Sequence, residues 1–186
     1  MKVKFGLKNA YYAKATASGD SVSYATPVRL PGAVSLSLAA AGEETEFYAD
    51  DTEYFTDKDN NGYDGSIELA MVPKSFRKDI LGESEDSNGV LVENKNNVNS
   101  AFALLCEFTT DDGAKKFCFY NCMATRPNQD SSTKGASKEV KTETLNIKIR
   151  PRYDGQVKAN TDADTNATVL SGWYNSVYEE TPLPSA

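Results

Sequence analysis

Histidine is absent from this 186-residue sequence, which removes most enzymatic readings at the outset. Without an imidazole there is no Ser-His-Asp or Cys-His nucleophile arrangement, and the commonest general base and metal ligand is gone. Glycine-rich phosphate loops are missing too, because the glycines stand singly at turns. Cysteine is scarce: Cys106, Cys118 and Cys122 are odd in number and lack CxxC spacing. That pattern predicts reduced, partly buried thiols in a chain that folds in cytosol. No apolar run reaches the roughly 18 residues of a membrane span. Lys8, Asn9 and Lys14 interrupt the N-terminal run short of signal-peptide length, so a soluble, unexported chain is expected.

Basic charge is short as well: 20 lysines and arginines against 27 acids give a net charge of −7, which disfavours attraction to phosphates or anionic membranes. The imbalance is local. From Glu43 to Glu68 ten acids face only Lys58, a net −9, and the rest of the chain sums to +2. Asp50-Asp51 and Asp111-Asp112 are adjacent acids in turn-like segments, which favours solvated loop residues over a glycosidase carboxylate pair. Lys115-Lys116 and Arg150-Pro151-Arg152 read as solvated strand ends rather than nucleic-acid contacts. No catalytic residue is nominated and no cofactor is expected.

What is present is a β pattern, β-branched and aromatic runs punctuated by turn residues, in a length suited to one domain. Asn9–Thr16 and Gly32–Ala39 read as strands, the second with Val34, Leu36 and Leu38 on its buried face. Glu43–Gly65, with Phe47, Tyr48, Tyr54, Phe55 and Tyr63, reads as a long hairpin or protruding loop ending in the turn-prone Asp59-Asn60-Asn61-Gly62. Its mixture of aromatics and acid marks it as an assembly element. Ser66–Val72 returns as a strand. Between Pro73 and Leu81 the period changes to that of a helix, with Phe76, Ile80 and Leu81 docking on a sheet and Gly82 capping the end.

Gly89–Glu93 predicts a brief strand. Ala101–Thr109 and Ala114–Met123 flank Thr110-Asp111-Asp112-Gly113 as a hairpin, with Phe102, Leu104, Cys106 and Phe108 on one face. Asn128–Ser137 is a polar loop, and Val140–Arg150 is a strand burying Leu145, Ile147 and Ile149. The expected organisation is a β domain over 1–155 and a C-terminal extension over 156–186. The extension has a low-complexity linker at 159–168 and an apolar docking segment at 169–178, whose Trp173, Tyr174 and Tyr178 must pack on their own core or on a neighbour.

One motif competes with this reading. Asp57, Asp59 and Asn61, with Gly62 following and Glu68 at the twelfth position, fit the EF-hand calcium loop. The flanks are wrong for it: Glu53 and Thr56 stand where a helix would be apolar, Asp64 replaces the usual aliphatic, and no second hand exists. The match is read as adventitious and no metal site is expected.

Several blocks resemble, in order, the major tail proteins of bacteriophages with long non-contractile tails. They are Phe5-Gly6-Leu7-Lys8-Asn9-Ala10-Tyr11-Tyr12, Leu30-Pro31-Gly32-Ala33, Phe47-Tyr48-Ala49-Asp50, Asn60-Asn61-Gly62-Tyr63, Ser75 to Gly82, and Phe119 to Pro127. The resemblance implies a tail-tube fold, two antiparallel sheets as a sandwich or small barrel with one flanking helix. It also implies hexameric rings joined edge to edge and stacked around a DNA-conducting lumen, acidic so that DNA slides. Partners would be further copies of the chain and, in the virion, a tape measure protein, a tail terminator and a distal tail protein, with no membrane involved. The rival readings are a carbohydrate- or receptor-binding β module, another tail component such as a tail terminator, and a carboxylate hydrolase.

Overall fold

A computed structural model describes residues 4–42, 44–49, 52–111, 113–129 and 141–182; at residues 4, 5, 44–49 and 52–58 it describes the backbone alone. The chain opens with β1 (Lys4–Ser18), which is bent by irregularities between Phe5 and Leu7 and between Lys8 and Tyr11. Asn9 takes the second bend at φ 47°, a left-handed conformation that asparagine tolerates better than most residues. Then come β2 (Ser21–Tyr24), β3 (Val28–Arg29) and β4 (Ala33–Ala40), followed by β5 (Glu44–Ala49) and β6 (Thr52–Lys58), and β7 (Tyr63–Leu69). Helix α1 (Lys74–Asp79) precedes the short pair β8 (Ser84–Glu85) and β9 (Leu91–Val92). The long hairpin β10 (Phe102–Thr110) and β11 (Gly113–Ala124), then β12 (Glu143–Ile149), β13 (Lys158–Asn160) and α2 (Ala167–Gly172), complete the order.

Antiparallel pairing builds one large sheet in the order β2-β1-β10-β11-β12-β7-β4, with β13 added on β11 and β3 on β1. The sheet curls over its main core without closing, so that β1, β10 and β11 form one layer and β12, β7 and β4 the other. Between them lie Tyr12, Phe102, Leu104, Cys106, Phe119 and Cys122 from the first layer and Ile67, Leu69, Leu145, Ile147 and Ile149 from the second. The fold is mainly β, an antiparallel sandwich with a flanking helix.

Helix α1 plugs the core. Pro73 starts it in extended conformation, and Gly82 leaves it at φ 72°, which a residue without Cβ accepts freely. Phe76, Ile80 and Leu81 are buried, and the Phe76 ring meets Tyr12 and Phe102 edge-on at 5.0 and 5.4 Å. Tyr12 donates to Asp79 Oδ2 at 2.9 Å, and burial pushes its phenol up to about 12. The helix is thereby pinned by its polar rim as well as by its apolar side.

Three departures from the sequence reading have local causes. Val34 is 53% exposed rather than buried, because the β4–β7 register shifts between Ala33 and Ser35 and turns that one side chain out; Leu36 and Leu38 remain on the core side. A second helix, α2, starts inside the run expected to be a linker, capped by Asn166 Oδ1 accepting from the Thr168 backbone N–H at 2.8 Å. That run also begins inside β13. Most of the polar loop 128–137, and Val140, lie outside the described residues.

Candidate assembly surface

Three features leave the sandwich unfinished or cover it: a projecting hairpin, a bare sheet edge and a C-terminal strap. The hairpin is β5–β6, which pair only with each other and sit between β4 and β7 in the chain. Phe47 and Phe55 stand opposite one another in this ribbon, with Tyr48 opposite Glu53; Tyr54 lies beside them on β6. The side chains of Phe47, Tyr48, Tyr54 and Phe55 lie outside the described residues.

Asn61-Gly62 is the root of the hairpin, not its turn. Asn61 N–H donates to Ala41 O and Ala41 N–H to Gly62 O, both at 2.9 Å, while β5 and β6 pair as far as Ala49 opposite Thr52. Gly62 at φ 87° passes so close to β12 that a Cβ there would lie 2.1 Å from Ile149 O, so the chain re-enters the sheet only through glycine. Tyr63, grouped from the sequence with the loop aromatics, consequently stands on β7 against the core, edge-on to Phe119 at 6.0 Å and bonded to Lys158 Nζ at 2.6 Å.

The bare edge is β4. It pairs with β7 on one side; among the described residues no strand pairs with the other, which β1 approaches without pairing. Its sequence, Ala33-Val34-Ser35-Leu36-Ser37-Leu38-Ala39-Ala40, contains no charge and no proline. Edges that must stay single usually carry lysine, proline or an inward charge, and this one carries none.

The strap is the segment after β13. Trp173 and Val177 are buried on the outer side of the first layer, over Ala13, Ala103, Leu105, Cys118 and Tyr120. Tyr174 stacks on Tyr11 at 4.6 Å, and Tyr178 on Trp173 at 5.5 Å. Two polar clasps fasten it. Tyr174 Oη donates to Glu107 Oε2 at 2.9 Å while Asn9 Nδ2 donates to Glu107 Oε1 at 2.9 Å, so one buried carboxylate ties the β1 bend to the strap. Arg152 holds both Glu179 oxygens at 2.9 Å, reaches Asp154 at 2.6 Å and lies 4.8 Å from the Tyr120 ring centre. The Asp154 and Glu179 carboxylates hold its guanidinium firmly charged.

The EF-hand-like residues are not arranged as a loop between helices. Asp57 belongs to β6, Asp59 and Asn61 are exposed at the hairpin root, and Glu68 is near the far end of β7. Seven residues of mostly extended chain from Asn61 to Glu68 span on the order of 20 Å. Glu68 is already occupied: Thr142 Oγ1 donates to it at 2.5 Å and Ser35 Oγ at 2.9 Å, and these bonds hold its carboxyl below the usual range. Among the described residues no three Cys, Asp or Glu side chains gather as a cation site.

An open groove of about 720 Å³ beside the loop 93–99 contains Glu83 and Glu93, but Arg77 and Arg126 hold them as ion pairs. The three cysteines are free and buried, and burial pushes the thiols of Cys118 and Cys122 well up, away from nucleophilic thiolate.

Compared with known families, residues 1–177 match the family described as phage tail tube protein. The chain belongs to that family. No individual curated protein matches it. A tail tube protein is a structural component of the virion tail, self-associating into a tube alongside other tail components. Among the described residues of this tail tube protein, no helix is long and apolar enough to cross a membrane.

Proposed function

We propose that copies of this chain join edge to edge into hexameric rings, that the rings stack into the tail tube, and that DNA passes through its bore. The observation that carries the reading is the uncharged, unpaired β4 edge, eight residues long. A strand of this kind is completed by a strand from a neighbour, and closing the ring removes the edge altogether. The β5–β6 ribbon supports the same reading, because an isolated two-stranded hairpin is marginal in water and gains order on meeting a partner. The number six rests on the likeness to tail proteins, as do the tape measure protein, tail terminator and distal tail protein as partners. Residues 1–155 act as the tube domain and 156–186 as an extension that folds back on it, and the chain waits in host cytoplasm before assembly. A net charge of −7 keeps the DNA backbone from adhering.

Electron microscopy of purified protein is the test: tubes or stacked rings are expected, and monodisperse monomers under crowded, cold conditions overturn the proposal. Replacing Phe47–Asn60 by a short Gly/Ser linker should leave a cooperatively melting monomer that no longer polymerises. Normal polymerisation of that variant would move the assembly contacts to the sheet edges or to the Trp173-containing C-terminus.

A further inference from the structure

Where the chain crosses from β3 to β4 it runs beside the bend of β1, and a cleft of about 320 Å³ lies between residues 7–10 and 29–33. Backbone geometry makes it. Asn9 at φ 47° breaks the β1–β10 register between Lys8 and Tyr11, while the Leu30 N–H reaches Ala10 O at 2.8 Å and ties the two segments together beside the bend. Leu7, Leu30 and Pro31 give the lining an apolar part, and Lys8 and Arg29 give it two positive charges.

Those two cations differ from others on the molecule. Arg77, Arg126, Arg150 and Arg152 each hold a carboxylate. Lys8 and Arg29 are exposed, and among the described residues neither side chain meets an acid. The acid opposite Lys8 in the sheet, Glu107, is taken by Asn9 and Tyr174. In a chain of net charge −7, two unmatched cations on one cleft mark a site for a carboxylate-rich partner.

We infer that this cleft receives the β5–β6 ribbon of a second copy, with carboxylates of the ribbon meeting Lys8 and Arg29. The inference rests on the tube assembly proposed above. Charge selects the occupant: residues 43–59 hold eight acids against the single base Lys58, and the chain's negative charge is concentrated there. Composition selects it again. The ribbon's register sets Tyr48 opposite Glu53, an aromatic residue beside an acid, which matches a cleft that is part apolar and part cationic. The ribbon departs from the Ala40 end of β4 and the cleft lies at its Ala33 end, about 25 Å away. The contact is therefore head to tail. The receiving copy keeps its own ribbon free for a further copy, and contacts of this kind propagate.

Cross-linking of the unsubstituted chain tests it. Subunits grown on light and on heavy nitrogen are mixed, assembled and treated with a carbodiimide, which condenses a lysine amine with a touching carboxylate. Tubes should yield peptides joining Lys8 of one isotope to an acid of residues 43–59 of the other, and dissociated subunits should not. Tubes without that link, or with the link confined to one isotope, overturn the inference and leave the assembly reading standing. Lys8→Glu combined with Arg29→Glu should melt like the unsubstituted chain and no longer polymerise; normal tubes from this variant also overturn the inference. If the two substitutions disturb the melt, the cross-link decides. Absence of tubes from the unsubstituted chain is seen by microscopy before any treatment, and overturns the assembly reading and this inference together.

Discussion

Over β1, β10 and β11 the sheet presents alanine, leucine and cysteine, and the chain roofs them with its own tryptophan and valine; over β12, β7 and β4 it presents serine, threonine and asparagine and, among the described residues, roofs nothing. The difference shows where this subunit is finished and where it is not. Apolar surface left open would be sticky before assembly, so it is covered in cis. Polar surface is left open, and the strand edge beside it is the part that, in the proposed assembly, another copy completes.

The comparison breaks most visibly at Trp173. Trp173→Ala should destabilise the isolated subunit by about 3–5 kcal/mol, the usual range for emptying a buried aromatic site, read from a denaturant melt. Trp173→Phe should cost clearly less, since the indole Nε1 is buried without a partner and phenylalanine removes that orphan donor. An unchanged melt with lost assembly would instead make the strap a contact between subunits.

A smaller effect on the subunit, and a larger one on the tube, is expected from Val34→Lys. The side chain is turned out on the β4 edge, so monomer stability should change by less than about 0.5 kcal/mol. Polymerisation should nevertheless fail, because a lysine guards the edge. Tubes of normal length from this variant would show that β4 stays unpaired.

The smallest effect sits on α1, away from both faces. Lys74 and Lys78 hydrogen-bond Glu85 at 2.6 and 2.7 Å and hold its carboxyl down at about 2. A depressed folded value means that this contribution is complete above the unfolded value near 4.5 and is lost as pH falls towards about 2. The group is exposed, so salt should weaken the effect. Carboxyl carbon NMR should find Glu85 titrating near 2 at low salt; a midpoint near 4.5 would show the lysines are not held there.

What was legible in the sequence followed local periodicity. Phe76 and Ile80 four apart between Pro73 and Gly82 announce α1, and alternation announces β10, β11 and β12. Distant or irregular causes were not legible. A single β-bulge reverses Val34 without changing the pattern around it. Ala103 and Leu105 alternate away from the main core, and only the strap, more than 60 residues later, buries them. α2 hides in an Asn/Asp/Thr-rich run because its cap, Asn166, is also a loop residue. The Asn-Gly pair signals a turn, and here it serves a hairpin root.

The Asn9–Glu107–Tyr174 contact has a mechanical consequence. A tail is loaded along its length, and a strand pulled from one end comes away one hydrogen-bonded pair at a time. Peeling β1 from Lys4 soon reaches Asn9, where it must break a bond to a carboxylate that also anchors the C-terminal segment. The N-terminal strand and the C-terminal strap therefore share one attachment point, so tension on either is passed through Glu107 into β10 at the middle of the sheet.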